Sequence, residues 1–269
     1  MPELPEVETT VRGVRPFLIG KQIEWVRVNQ PSLRWMMPPD FADRLVGDKC
    51  VSISRRAKYI QIQNEHSEIL AHLGMSGSFR LVDPSTPLKT HDHVQIRVKD
   101  LELRYHDPRR FGCLLWAESD RAKTLLQALG PEPLSDMFDG RWMYAQSRHR
   151  SIAIKTFIMS NQIVVGVGNI YASESLFMSG ISPLRAVNRI SKVRYELLAD
   201  NIKSVLAQAI ESGGTTLRDF VNGQGEPGYF QQALAVYGRD GQSCLQCGGF
   251  VVSQRISGRN SYFCKACQR

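Results

Sequence analysis

The sequence predicts an α+β protein with more than one domain, and three observations lead to that class. A helix pattern opens the chain, short strand patterns follow over residues 21–117, and helical patterns return over residues 151–221. Four of the six cysteines lie within the last 26 residues. A chain of 269 residues suits roughly two domains of about 100–200 residues each. We therefore expect a β-sandwich with an N-terminal helix, followed by a helical domain that ends in a hairpin stapled by its cysteines.

The first helix is predicted directly after the opening stretch MPELPEVETT. Apolar residues recur there at three- and four-residue steps and form one helix face: Val7, Val11, Val14 and Leu18. Pro5 suits a first helical turn, and Glu6 suits the positive end of the helix dipole. Gly20 can end the helix. A buried helix of this kind would tie down a terminus that otherwise frays.

The next segments are typical of strands, because they alternate or are rich in β-branched and aromatic residues between turn residues. They read QIEWVRV, CVSIS, YIQIQ, SFRLV, VQIRV, LELRY and GCLLWA. Several short strands in series indicate a β-sandwich or a barrel.

A helical texture follows, and one segment is predicted to bury Leu197, Ile202, Val205, Leu206 and Ile210. The domain boundaries that we expect are 1–130 for the β-sandwich, 131–150 for a linker, 151–230 for the helical domain and 231–269 for the cysteine-rich hairpin.

The charge balance favours a polyanionic partner without proving one. Lys and Arg outnumber Asp and Glu by 34 to 26, which gives a net charge of +8. No apolar run approaches the ~20 residues of a membrane span, and the opening residues do not have the pattern of a signal peptide. We expect a soluble, cytoplasmic chain.

The cysteine spacing predicts one structural zinc ion. Cys244 and Cys247 form one C-x2-C pair, and Cys264 and Cys267 form another after sixteen residues. Two such pairs at this separation are typical of a four-cysteine zinc site. Four thiolates fill a tetrahedral zinc and leave no position for water, so the ion would be structural. Cys50 and Cys113 lie in strand patterns and are expected to be inert core residues.

The opening residues also offer chemistry. Removal of Met1 would expose the secondary amine of Pro2, and an α-amino group titrates near about 7.8, against about 10.4 for a lysine. Such an amine can attack a carbonyl-like carbon and form an iminium. Glu3 lies beside it and could supply the proton that opens a sugar ring. The same residues are also typical of an ordinary capped helix without catalytic function. If Met1 is retained, the Pro2 nitrogen is an unreactive amide.

A set of motifs follows in one order along the chain: PELPEVET, RRAKY, HLGMSG, HDH, DPRRFG, VVGVGNIYASESLF, GGTTLRDF, GYF and the four-cysteine finger. Together they closely resemble the bacterial formamidopyrimidine-DNA glycosylase family. The resemblance covers nearly the whole chain. It implies a β-sandwich domain and a helix-two-turn-helix domain with double-stranded DNA in the cleft between them. It also implies a repair enzyme, expected as a monomer, that excises oxidised purines and then nicks the abasic strand.

The resemblance also implies roles for single residues. Catalysis would fall to Pro2, Glu3, Lys58 and Arg259, and base displacement to Met75, Arg109 and Phe111. Further DNA contacts would come from His72, His91, Arg150, Lys155 and Asn169. Arg150 stands where the family more often has lysine. The glycine-rich segment 213–228 would be a loop that covers the lesion.

The sequence also leaves open purely structural roles for these residues. Lys58 could be a surface lysine, Met75 a core residue, and the histidines of the HDH motif a hydrogen-bonding pair on one strand face. Two alternative functions also stay open. One is an endonuclease VIII-like glycosylase for oxidised pyrimidines, which usually carries Gly where this chain has Leu4. The other is a non-catalytic zinc-ribbon protein that only binds DNA.

Overall fold

The computed structural model describes residues 2–213 and 234–269. Two compact units account for these residues, one within 2–127 and one formed by 128–211 together with 234–269. The finer division at 130, 150 and 230 stays a prediction.

The first unit is a β-sandwich with helices at both ends of its sequence. Its elements are α1 Leu4–Leu18, β1 Trp25–Val28, α2 Phe41–Leu45, β2 Cys50–Arg56, β3 Tyr59–Asn64, β4 Glu68–His72, β5 Ser78–Val82, β6 Asp92–Val98, β7 Leu101–His106, β8 Cys113–Trp116 and α3 Asp120–Gln127. The strands form two four-stranded sheets in the orders β1-β6-β7-β5 and β2-β3-β4-β8. Every described pairing is antiparallel. The expected β-sandwich is therefore confirmed.

One hydrophobic core joins both sheets to α1. The apolar face predicted for α1 is buried throughout, with Val11 fully covered and Leu18 4% exposed. Arg15 near the end of α1 donates from Nε and Nη2 to the Ile53 carbonyl of β2, at 3.0 and 2.7 Å. Gly20 follows the helix with φ +76°, a conformation that suits glycine. The start of the chain is thus fixed to the sandwich.

The second unit is helical and ends in a two-stranded hairpin. Its elements are α4 Gly140–Ser147, α5 Ile154–Ile158, α6 Asn169–Met178, a 3₁₀ helix Val187–Arg189, α7 Lys192–Glu211, β9 Val251–Ile256 and β10 Arg259–Cys264. Helix α4 lies inside the stretch predicted as a linker. On α6 the buried Glu174 carboxylate accepts the N–H groups of residues 235–237 at 2.8, 3.0 and 2.8 Å. This contact anchors the tail that carries the hairpin.

The prediction of the buried face of α7 is wrong for one residue, Leu197. Leu197 is 48% exposed, whereas the adjacent Leu198 is buried, as are Ile202 and Leu206. The remaining apolar positions that we predicted, Ile202, Val205, Leu206 and Ile210, are buried. Residues of a helix lie about 100° apart, and the step from Leu198 to Leu197 leads away from the buried face. Leu198, not Leu197, carries the i, i+4 spacing to Ile202.

Within the described ranges, no helix combines the length and apolar character needed to cross a bilayer.

The two leucines of α7 provide a matched pair for a stability test. We expect Leu198→Ala to lower the free energy of unfolding by about 2–5 kcal/mol, because it leaves a cavity in a closed core. We expect Leu197→Ala to change it by at most ~0.5 kcal/mol. Urea unfolding followed by far-UV circular dichroism measures both. Equal losses from the two substitutions would contradict this orientation of α7.

Candidate active site

The N-terminal residues form a fixed, buried group at the start of α1. Pro2 is buried, Glu3 is 3% exposed and Glu6 is fully buried. Glu3 occupies the N-cap position in a reciprocal capping box, in which its carboxylate accepts from the backbone N–H of Glu6. In return the Glu3 backbone N–H donates to Glu6 Oε2 at 2.8 Å. Two close carboxylates are tolerated here because unpaired N–H groups and the positive end of the helix dipole stabilise negative charge.

An arginine connects this helix to the turn that carries Lys58. The Arg55 guanidinium donates to Glu8 Oε2 of α1 and to the Ala57 carbonyl, both at 3.0 Å. Residues 57 and 58 form the turn between β2 and β3, where Ala57 adopts φ +55°. Lys58 is only 9% exposed, which is unlike an ordinary surface lysine. The predicted catalytic lysine therefore sits on a turn braced against the predicted nucleophile's helix.

Two loops present the predicted base-displacing residues side by side. Met75 lies in the turn after β4 and is 39% exposed, while Phe111 lies between β7 and β8 and is 46% exposed. The Arg109 guanidinium carbon stands 4.8 Å from the centre of the Phe111 ring. A methyl group at Gly74 would collide with the backbone of Phe111 and Gly112. The absent side chain at Gly74 thus lets the two loops touch backbone to backbone.

The two loops border one cavity of about 650 Å³. It is lined by His72, Met75, Arg109 and Phe111 together with Ser32, Leu33, Arg34, Gly74 and Arg110. Four of the predicted DNA-contacting residues are therefore brought together. Sequence reasoning missed Arg34, whose N–H donates to the Gly112 carbonyl at 3.1 Å. The stretch around it has no periodic pattern that would have singled it out.

His72 is held as a neutral ring with a defined tautomer. Its Nδ1 accepts the Gly74 N–H at 2.9 Å, so the proton lies on Nε2. Burial, helped by the positive charges of Lys58 and Arg34, lowers the pKa of His72 to about 4. A neutral Nε2–H group can donate one hydrogen bond to a phosphate without adding charge.

His91 precedes β6 and lies in a small group of histidines. Its ring centre is 6.1 Å from that of His93 and 5.9 Å from that of His106. His93 is 5% exposed and its Nε2 donates to the Asp107 carbonyl at 2.7 Å. Burial disfavours the charge of Asp92, but hydrogen bonds from His106, the Lys89 N–H and Arg80 outweigh it and hold the pKa of that carboxyl well below its usual range. His91, the predicted DNA contact, thus lies beside a buried network of hydrogen-bonded polar side chains.

The second unit carries the other predicted phosphate contacts on α6 and the hairpin. Asn169 opens α6 directly after Gly168, as the sequence predicts, and its Nδ2 donates to the Asn260 carbonyl at 3.0 Å. Arg259 is exposed at the start of β10, after a two-residue turn in which Ser257 and Gly258 have φ +46° and +81°. The hairpin and the start of α6 are therefore joined next to both residues.

Lys155 and Arg150, two further predicted DNA contacts, are both at least partly buried. Lys155 is 1% exposed, and its ammonium donates to Ser173 Oγ and Ser261 Oγ at 3.0 and 2.8 Å. It thus ties α5 and α6 to β10, and a direct DNA contact by Lys155 stays a prediction. Arg150 is half-buried, with its guanidinium carbon 5.9 Å from the centre of the Phe157 ring. The loop predicted over residues 213–228 lies outside the described residues except for Gly213.

The four tail cysteines fit a zinc ion. Their sulfur atoms all lie within 4.8 Å of one another. Cys244 Sγ is 3.8 Å from Cys267 Sγ, and Cys247 Sγ is 3.5 Å from Cys264 Sγ. A tetrahedral zinc with bonds of about 2.3 Å separates its sulfur ligands by about 3.8 Å. Cys50 and Cys113 are buried among apolar side chains, where burial raises the pKa of their thiols to about 11 and about 12.

Fold and site together define a class of protein: a β-sandwich with a buried Pro-Glu terminus, joined to a helical unit with a four-cysteine hairpin suited to phosphate contact. Three family models match the chain. They are the formamidopyrimidine-DNA glycosylase N-terminal domain over residues 1–114, the H2TH domain of the same glycosylase over 129–221, and the zinc finger found in FPG and IleRS over 241–269. The chain belongs to the formamidopyrimidine-DNA glycosylase family.

Full-length relatives agree with this assignment. The chain is 55% identical over 271 residues to the formamidopyrimidine-DNA glycosylase of Alcanivorax borkumensis and 54% identical over 270 residues to that of Pseudomonas aeruginosa, with 100% of each chain covered. Among solved structures, a Lactococcus lactis FPG mutant in complex with Fapy-dG containing DNA has a TM-score of 0.92 at 31% identity, with 100% of both chains covered. The Thermus thermophilus FPG protein has a TM-score of 0.89 at 35% identity, with 99% of this chain and 98% of that one covered. The expected helix-two-turn-helix domain and zinc finger are confirmed.

The state of His72 can be checked by NMR. Because its folded pKa of about 4 lies below the unperturbed value of about 6.5, the ring should stay neutral from pH 8 down to about pH 5. The nitrogen chemical shifts of a ¹⁵N-labelled sample should show the proton on Nε2. A His72 titration midpoint near the unperturbed value of about 6.5 would contradict the arrangement.

The zinc site can be tested by removing one ligand. We expect Cys264→Ser to abolish stoichiometric zinc binding and to unfold the hairpin, because so short a tail depends on its staple. DNA affinity should then fall roughly tenfold or more, since Arg259 loses its fixed turn. Zinc analysis and DNA titration measure these effects. The control Cys113→Ala removes a buried thiol of the other unit and should keep the zinc; zinc loss in both variants would count against the site.

Proposed function

We propose that this chain is a bifunctional DNA glycosylase and abasic-site lyase that acts on oxidised purines, such as 8-oxoguanine and formamidopyrimidines, in double-stranded DNA. The observation that carries the proposal is the buried Pro2–Glu3 pair at the start of α1. A helix N-terminus stabilises a carboxylate, and burial disfavours an ammonium. Both effects suit a free amine beside a carboxylate that can take up its proton and pass it on. The net charge of +8 suits the polyanionic substrate.

The first half of the reaction is base excision. The Pro2 nitrogen, freed by removal of Met1, attacks C1′ of the displaced nucleotide. The bond from C1′ to the base breaks, and the base leaves with the electron pair and takes up a proton. The attack leaves the Pro2 nitrogen protonated; the Glu3 carboxylate takes up that proton and passes it to the ring oxygen as the sugar opens. The nitrogen lone pair, restored by this transfer, then forms the C1′ iminium, which is a permanently cationic electron sink.

The second half is strand cleavage. Loss of a proton from C2′ of the iminium expels the 3′ phosphate, and a further elimination expels the 5′ phosphate. Together they leave a one-nucleotide gap with phosphate at both ends. We assign Lys58 to phosphate contact and proton donation in the first elimination, and Arg259 to phosphate contact in the second. Met75, Arg109 and Phe111 fill the space that the displaced base leaves.

The remaining assignments concern DNA binding and assembly. His72, His91, Arg150, Lys155 and Asn169 contribute to DNA binding, Asn169 through backbone phosphate, and the chain acts as a monomer. Cys244, Cys247, Cys264 and Cys267 hold one zinc ion with no open position, so zinc stabilises the hairpin and supplies no step of the chemistry.

Borohydride trapping tests the proposal. We expect the chain to form a reduced crosslink with abasic DNA and mass mapping to place it on Pro2. Glu3→Gln should lower excision of 8-oxoguanine by roughly 10²–10⁴-fold, the usual range for a lost general acid. It should lower trapping on a preformed abasic site less, because an abasic sugar opens to its aldehyde without Glu3. An intact Met1 in active protein, or a crosslink on a lysine, would overturn the mechanism.

The same assay separates the alternative functions. A protein that only binds DNA gives no crosslink. A preference for thymine-glycol duplexes over 8-oxoguanine duplexes would favour an endonuclease VIII-like specificity.

A further inference from the structure

We propose that Asp107 is a positioning residue that holds the two base-displacing loops at a fixed separation; this inference rests on the proposed function. The residue is fully buried directly after β7. It touches neither the cavity nor the predicted DNA surface, and no role follows for it from the motif in which it stands. Its side chain is nevertheless bonded to both loops.

One carboxylate oxygen holds the Met75 turn. Ser76 Oγ donates to Asp107 Oδ1 at 2.8 Å. The same hydroxyl accepts the backbone N–H of Arg109 at 3.3 Å, so it also restrains the residue predicted to face the orphaned base. Ser76 is 8% exposed, which keeps water from competing for these bonds.

The other oxygen holds the Phe111 loop. Asp107 Oδ2 accepts the backbone N–H of Gly112 at 2.8 Å and lies 3.3 Å from the Tyr105 hydroxyl. That hydroxyl also reaches the carbonyl of His72, at 3.2 Å. A single carboxylate therefore links the ends of β4 and β7 with both loops.

The two loops are packed so closely that their separation cannot change without a steric clash or a lost contact. A methyl group at Gly74 would collide with residues 111 and 112, and one at Gly112 would collide with the Tyr105 hydroxyl and the His72 carbonyl. Arg110 lies in the loop that carries Phe111 and adopts φ +53°. A non-glycine residue keeps this conformation only when its surroundings impose it. The Asp107 carbonyl contributes by accepting the Arg110 N–H at 3.1 Å.

This arrangement should matter for base displacement and not for the chemistry at C1′. Met75 and Phe111 are exposed and have few neighbours that hold them by packing. They can fill a gap in a base stack only if their backbones are already in place, because ordering them on binding would cost free energy. Removing the carboxylate frees both loops and leaves two buried donors, Ser76 Oγ and Gly112 N, without their acceptor.

The test compares Asp107→Ala with Asp107→Asn. The amide keeps an acceptor oxygen for Gly112 and can donate to Ser76 Oγ, so it preserves both links with one bond reversed. We expect Asp107→Ala to lower single-turnover excision from an 8-oxoguanine·cytosine duplex roughly 10- to 100-fold. Borohydride trapping on single-stranded abasic DNA, which has no stack to fill, should change by at most about threefold. Asp107→Asn should stay within about threefold of wild type in both assays.

A fluorescent base analogue beside the lesion reports displacement directly, and its signal should weaken in Asp107→Ala alone. Asp100→Ala, at an exposed turn, is the matched control. If wild type traps no abasic DNA, the proposed function fails and this inference falls with it. If wild type is active and Asp107→Ala excises from the duplex at the wild-type rate, only the inference fails. Equal loss on both substrates would mean general destabilisation and would also overturn it.

Discussion

The burial of the chain terminus is the constraint on which the rest of the site depends. A terminal nucleophile is useful only if it is held in place, whereas chain ends usually fray. Here Leu4 is buried and the apolar face from Val7 to Leu18 packs into the sandwich core, so the helix cannot lift away without exposing it. The capping box between Glu3 and Glu6 then satisfies donors that the first turn leaves free. The proline- and glutamate-rich opening thus holds the proposed nucleophile in place where most proteins have a frayed end.

The two loops proposed to displace the base face a different constraint, because their apolar side chains must stay exposed for that role. Exposed Met75 and Phe111 receive little support from a core, so the backbone has to be rigid on its own. Rigidity comes from direct backbone contact at Gly74 and Gly112 and from one buried carboxylate, Asp107. Preorganised loops let the free energy of binding go into displacing the base and not into ordering the protein.

Local patterns predicted the elements whose signal is local. The face of α1, the alternating strands and the cysteine spacing each follow from spacing along the chain. Strand β4 was missed because Ile69, Leu70 and Ala71 are all buried, which removes the alternation that marks a half-exposed strand. The error at Leu197 is a shift of one residue in an apolar run. The bond between Asp107 and Ser76 and the bond between Arg34 and Gly112 have no local signal, since the two residues of each pair are far apart along the chain.

In the second unit, the two residues proposed to contact phosphate, Arg259 and Asn169, are held by the hairpin and by its bonds to the helices. The closed set of four cysteines sets the shape of the hairpin, and the β9–β10 register places Arg259 directly after its turn. Lys155 and Asn169 then bind β10 through Ser261 and Asn260, so α6 and the hairpin are connected by two neighbouring contacts. A buried ammonium held by two hydroxyls is costly to expose, which keeps this connection closed. The buried lysine thus serves DNA recognition by fixing the relative position of the two residues expected to bind phosphate.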